Sequence, residues 1–300
     1  MVDKLYRTES VEFASGDCVL RGTLYIAGRD EGERGPAAVV AGSWTTVKEQ
    51  MAGRYAAELA ARGLTALAFD FRHYGESDGQ PREFESPESK VADIVAAVDF
   101  LSNHPAVDAD RIGALGVCAG AGYVCVAAAR DERIRALALV APWLHDAELV
   151  RAVYGGEDGV REKIEAGQRA RVRWEETGQV EYVPAVSDTD PTAAMYGPID
   201  YYLNAARGAI EQWPNRLATM SWPTWLTFDP ISVAPQVDVP LLAVHSEDAA
   251  IPDGIRRFAD KVSGPCELRW RSGTQFDFYD DDATVDDAVT AAAEHLSARL

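Results

Sequence analysis

Hydrophobic and polar positions change period several times along this chain. "SVEF" at residues 10–13 and "CVLRGTLYIAG" at 18–28 alternate apolar and polar side chains, which predicts a pair of antiparallel strands at a sheet edge. The next run, "PAAVVAGS" at 36–43, is apolar throughout, as a strand covered on both faces must be. It gives way to "VKEQMAGRYAAELAARG", whose apolar residues recur at helical spacing and end on Gly63. Strand and helix then alternate: "LTALAFDF", "KVADIVAAVDFLSNH", "RIGALGV", a helix from Ala119 to about Arg130, and "IRALALVAP". The same alternation resumes late in the chain with "PLLAVHSED", "GIRRFADKV", "CELRWRSG" and "DDAVTAAAEHL". The pattern predicts an α/β fold, a mostly parallel eight-stranded sheet with helices on both faces.

From Trp143 to about Val237 the alternation stops. That segment has a helical pattern and gathers Tyr182, Tyr196, Tyr201, Tyr202, Trp213, Trp222 and Trp225. It reads as a helical cap at 143–237 inserted after the sixth strand, with 1–142 and 238–300 forming the core. Aromatic residues there fill the cap's own small core, and some are expected to face a pocket beneath it, Trp143, Tyr196 and Trp222 among them.

Composition narrows the function classes. The 300 residues are 47% hydrophobic and 26% charged, with a net charge of -19, so the phosphate backbone of a nucleic acid would be repelled. No window has the apolar length of a membrane span and the first residues lack a signal-peptide pattern, so a cytoplasmic protein without a membrane partner is expected. Cys18, Cys118, Cys125 and Cys266 fit neither a zinc pattern nor a disulfide framework. No dinucleotide or phosphate-loop motif is present, so no cofactor and no metal are expected; the partner is a small-molecule substrate, and a homodimer is the base-rate expectation.

One short stretch carries chemistry. The strand "RIGALGV" runs into Cys118 and then into a helix of small residues, giving G-x-C-x-G at Gly116, Cys118 and Gly120. A sharp strand-to-helix turn lifts its central residue into a strained conformation, so its neighbours must be almost free of side chain. A thiol there sits at a helix N-terminus, whose amides and dipole are expected to lower its pKa. A buried cysteine in a glycine-rich turn is the alternative reading.

The turn "GVCAG", the segment "GSWTTVKEQM" at 42–51, the loop "FRHYGESDG" and "VHSEDAAIP" together resemble the α/β-hydrolase superfamily, with the nearest resemblance to its dienelactone-hydrolase-like and X-Pro-peptidase-like branches, whose nucleophile is Ser or Cys. The resemblance implies Cys118 as nucleophile, an oxyanion hole from the amides of Ala119 and Trp44, and Asp248 as the acid. Lys48 and Glu49 read as first-turn helix residues. The position of the family's catalytic histidine is taken by Gln275, and an amide accepts no proton at neutral pH. Gln275 remains able to orient a substrate or water.

Five histidines offer a replacement base. His104 and His295 read as surface residues, His245 as structural, and His73 as a structural residue near the pocket rim. His145, just past "LALVAPWL", lies where related folds bring side chains toward the nucleophile. It is a candidate general base or acid, or else a hinge or cap-packing residue. Three functions remain open: a cysteine-dependent hydrolase or acyl-transfer enzyme acting on an ester, thioester, lactone or activated carbonyl of a small, largely apolar substrate; a lyase, cyclase or isomerase using the same pocket; and a non-catalytic ligand-binding member of the fold.

Overall fold

The computed structural model describes residues 5–30 and 32–300. Eight strands form one sheet: β1 Tyr6–Ser15, β2 Cys18–Ala27, β3 Gly35–Ala41, β4 Thr65–Phe69, β5 Val107–Val117, β6 Ile134–Val140, β7 Leu241–Ser246 and β8 Cys266–Arg271. Their spatial order is β1-β2-β4-β3-β5-β6-β7-β8. β2 pairs antiparallel with both β1 and β4, and all remaining neighbours are parallel. The reading of alternating period as edge and unbroken apolar runs as centre holds: β3, β4 and β7 are buried at every position, whereas β1 is buried only at Phe13 and Ser15.

The connections place the site. From β3 the chain crosses through α1, Met51–Ala61, to β4 on one side, and from β5 it crosses through α3, Ala119–Ala128, to β6 on the other. Right-handed crossovers then put α1 on the opposite face from α3 and from α2, Pro87–Ser102. The packing agrees: α2 lies against α3, and α1 lies against the C-terminal helix. Because the chain leaves β3 and β5 in opposite directions, the carboxyl ends of these neighbouring strands border a crevice, the place where open α/β sheets bind ligands.

Between β6 and β7 lie α4 Ala147–Val153, the long exposed α5 Gly156–Thr177, two one-turn α-helices, two 3-10 helices and four short strands. The strands Tyr182–Pro184 and Arg216–Ala218 pair antiparallel, and Val186–Ser187 pairs with Met195–Tyr196. The segment is therefore mixed rather than purely helical, because strands of two or three residues are too short to show a period of two. Helix α6, Pro252–Ala259, follows β7, and α7, Asp282–Arg299, closes the chain. Among the described residues no helix is long and apolar enough to cross a membrane.

His295 departs from its expected surface place. Val285, Ala288, Ala292, His295 and Leu296 form the buried stripe of α7, and the His295 ring faces the Pro240 carbonyl.

Candidate active site

Cys118 stands at the tip of the turn from β5 into α3, with φ 56° and ψ -119°. This left-handed backbone is costly for a residue with a Cβ, and the surroundings hold it in place. The Cys118 N–H donates to the Val140 carbonyl at 3.0 Å, and its own carbonyl accepts from Trp143 at 2.9 Å and Ala121 at 3.1 Å. The flanking glycines are obligatory: a Cβ on Gly116 would come within 2.5 Å of the Ala121 Cα, and one on Gly120 would run into the Ala41 carbonyl oxygen.

The sulfur forms part of the wall of a cavity of about 170 Å³ between the sheet and the inserted segment. Ser43, Trp44, Trp143, Tyr202, Gln275 and Tyr279 are among its other walls. The amides of Ala119 and Trp44 and the hydroxyls of Ser43 and Tyr279 lie beside Cys118 on the cavity wall, and each favours its thiolate. Burial outweighs them, so the thiol is pushed above its ordinary value. This differs from the expectation that the helix N-terminus lowers the thiol pKa: the thiol is buried, and burial disfavours the anion.

Gln275 straps three elements together at the cavity. Its Oε1 accepts from the Ala250 N–H at 3.0 Å, and its Nε2 donates to the Ala141 carbonyl at 2.9 Å and to the Tyr279 hydroxyl at 3.2 Å. Asp248 is exposed on the turn after β7, where its backbone N–H bonds Ser246 Oγ at 3.1 Å. Among the described residues no hydrogen bond or ion pair joins its carboxylate to Cys118, Gln275 or His145.

His145 is buried behind the cavity wall. Its Nδ1 accepts the Trp143 indole N–H at 2.8 Å, and its ring packs edge-on against Trp225 and Phe228. Burial lowers its pKa to about 4. It does not line the cavity.

The pocket residues divide. Gln275 and Trp143 line the cavity; Tyr196 and Trp222 do not. Tyr196 is 60% exposed because, on its short strand, the pleat turns Met195 toward the cavity and Tyr196 away from it. Trp222 stands one layer back, tilted against Trp44 with ring centroids 6.0 Å apart and with the Lys163 ammonium 4.4 Å from its ring centre. Ser43 and Tyr279 are not anticipated from the sequence, where the one signal is the four-residue spacing of Gln275 and Tyr279; Tyr202, one of the segment's aromatics, lines the cavity.

The loop between β3 and α1, which carries Ser43 and Trp44, is pinned from below. Lys48 precedes α1 rather than belonging to its first turn, and its ammonium sits among the carboxylates of Glu49, Asp70 and Glu76 at 2.6–2.8 Å. The three carboxylates are close enough together to hold a cation, and Lys48 already supplies one.

The chain is similar to several known proteins. Residues 49–175 match the serine aminopeptidase S33 family. The uncharacterised protein PA2218 of Pseudomonas aeruginosa is 33% identical over 245 residues, which are 77% of this chain and 64% of that sequence, so the chain spans less than two thirds of this relative. The crystal structure of PA2218 superposes with a TM-score of 0.88 at 26% identity, covering 100% of this chain and 96% of that one. The acyltransferase drtE of Aspergillus calidoustus is 28% identical over 88% of this chain and 86% of its own. DcsB, solved with a substrate analogue, has a TM-score of 0.84 at 21% identity over 98% of this chain and 99% of its own, a likeness of fold. Sheet order, strand-to-helix turn and these matches agree: the chain has the α/β-hydrolase fold.

Proposed function

We propose that the protein is an acyl-transfer or hydrolytic enzyme in which Cys118 attacks an ester, thioester, lactone or other activated carbonyl of a small, largely apolar substrate. One observation carries this reading: a sulfur held by strained backbone in the wall of an aromatic cavity, with two backbone amides beside it. Attack makes an Sγ–C bond and puts negative charge on the carbonyl oxygen. The amides of Ala119 and Trp44 receive that charge, and one such donor lowers a barrier by about 3–4 kcal/mol. The cavity of about 170 Å³ suits a ring-sized acyl group, since apolar cavities of about 150 Å³ hold benzene.

The Gln275 strap favours transfer over hydrolysis. Water attacking the acyl-enzyme needs a base, and this amide is committed to Ala250, Ala141 and Tyr279. A thiol or amine acceptor is a better nucleophile than water and discharges the thioester without that help. The acyltransferase drtE points the same way, and the branch within the superfamily rests on the motif resemblance.

The test is intact mass after incubation with a benzoyl thioester. The parent gains one benzoyl group on Cys118, loses it slowly in water and quickly on adding a small thiol, and Cys118→Ala gains none. No adduct in the parent, or an equal adduct in Cys118→Ala, overturns the reading; ligand binding without any adduct makes the protein a binding member of the fold.

A further inference from the structure

A nucleophilic thiol must lose its proton, and no imidazole faces Cys118. Hydroxyls do. Tyr202 donates its O–H to Ser43 Oγ at 3.2 Å, Ser43 Oγ lies 3.1 Å from the Tyr279 hydroxyl, and Ser43 and Tyr279 both adjoin the sulfur.

The donors at its two ends limit the directions open to this run of hydroxyls. Because Gln275 Oε1 accepts from Ala250, its other end is the NH2 group, which gives one proton to Ala141 and one to Tyr279. The Tyr279 oxygen is thus an acceptor on its Gln275 side, and its own proton is directed toward Ser43 or Cys118. Ser43 Oγ likewise accepts from Tyr202, leaving its proton for Tyr279 or Cys118. Two hydroxyls, each with one proton to give, stand side by side at one sulfur. From this geometry, and resting on the acyl-transfer reading above, we infer that Tyr279 and Ser43 are catalytic residues forming a proton relay that stands in for the missing histidine.

The step balances without an external base. The thiol proton moves to one hydroxyl oxygen, that hydroxyl's proton moves to the second, and the second's proton moves to the leaving heteroatom. Meanwhile the Sγ–C bond forms and the bond to the leaving group breaks, so one proton is transferred and no charged side chain is created. Transfer to a thiol acceptor runs the relay in reverse and returns the proton to Sγ. The setting suits a neutral relay: burial holds the Tyr279 and Tyr202 hydroxyls well above the ordinary phenol range, and the cavity walls include no Lys, Arg, His, Asp or Glu among the described residues. Besides Tyr279 and Tyr202, the titratable group facing the sulfur is Tyr154, itself raised by burial, and His145 stands behind Trp143.

A relay leaves a signature that mere packing does not. In the parent, single-turnover benzoylation of Cys118 by a thioester should change less than about 3-fold between about pH 6 and 8, because the thiol is the reactant and no prior ionisation is needed. Tyr279→Phe keeps the ring and removes the oxygen. Its acylation should be about 100-fold slower at low pH and climb about tenfold per pH unit, because only pre-formed thiolate then reacts. Ser43→Ala should behave the same way and decides the matter if Tyr279→Phe does not fold. The relay is overturned if the parent itself climbs tenfold per unit, or if folded Tyr279→Phe or Ser43→Ala keeps the flat dependence. Absence of any adduct in the parent instead overturns the acyl-transfer reading, so the two failures are distinguishable.

Discussion

The indole N–H of Trp143 donates to Nδ1 of His145 at 2.8 Å. With that nitrogen accepting, the histidine proton lies on Nε2, and burial, which lowers the pKa to about 4, keeps the ring neutral across the physiological range. His145 therefore holds a cavity wall upright. His145→Leu leaves the partly buried Trp143 indole donor unpaired, at a cost of about 0.5–1.5 kcal/mol. KM for an acyl donor should rise while the pH dependence of Cys118 alkylation stays unchanged. A general base would give the opposite split, a lower kcat and an altered thiol titration.

Burial raises the Cys118 thiol above its ordinary value, so little thiolate exists near neutrality. Iodoacetamide, whose leaving iodide takes no proton, reads that fraction directly. Alkylation of Cys118 should rise about tenfold per pH unit between about pH 7 and 9 without levelling off. A plateau near neutral pH would mean that the amides of Ala119 and Trp44 overcome burial. Cys118→Ser should lose acyl transfer by at least about 100-fold, because an alcohol is a poor nucleophile without a base.

The sequence pattern reaches the frame of this site further than its walls. Alternation against unbroken apolar runs separates the edge strand β1 from the buried β3, β4 and β7, and the glycines around Cys118 report their own steric need. The walls follow a different logic. Met195 and Tyr196 are neighbours, and only the strand's phase decides which one faces the cavity. The thiol's burial depends on an inserted segment that closes from far away in sequence, so a local argument from the helix dipole points in the wrong direction. Ser43, Tyr202 and Tyr279 lie up to 236 positions apart, and no local pattern joins them. His295 is different: the apolar spacing of α7 could have placed it inside.

Three buried histidines should make the fold sensitive to acid. Burial is the largest cause holding His73, His145 and His245 at about 4, whereas an unfolded chain titrates them near about 6.5. Between those values the unfolded state binds more protons than the folded one, so stability is full above about pH 6.5 and falls toward pH 4. Each contributes at most about 1.4 kcal/mol per pH unit within that window. His245 stacks on Trp270 with centroids 5.7 Å apart, and phenylalanine keeps that contact. His245→Phe should therefore lose about 1–2 kcal/mol less than the parent between about pH 6.5 and 5, measured by urea unfolding. Equal losses would show that His245 titrates normally in the fold.

Lys48 and Asp70 hold the loop bearing Ser43 and Trp44. The Asp70 carboxylate, fully buried, accepts the Lys48 backbone N–H at 2.8 Å, the Lys48 ammonium at 2.8 Å and the Glu76 N–H at 3.0 Å. Desolvation raises the Asp70 carboxyl above its ordinary value, and the Lys48 ammonium is the strongest influence opposing that rise. Lys48→Met removes the cation and leaves a buried anion among two exposed acids, so destabilisation of about 3–5 kcal/mol is expected in urea unfolding. The double variant Lys48→Met/Asp70→Asn removes both charges and should recover part of that loss. Acyl transfer should remain impaired in the double variant, because the Asn side chain has one accepting oxygen, for which the Lys48 N–H that ties the loop competes with the Glu76 N–H of the neighbouring loop. Full activity in the double variant would mean that the loop is positioned by its own packing, with Trp44 stacked on Trp225 at 4.7 Å, and that the ion pair serves stability alone.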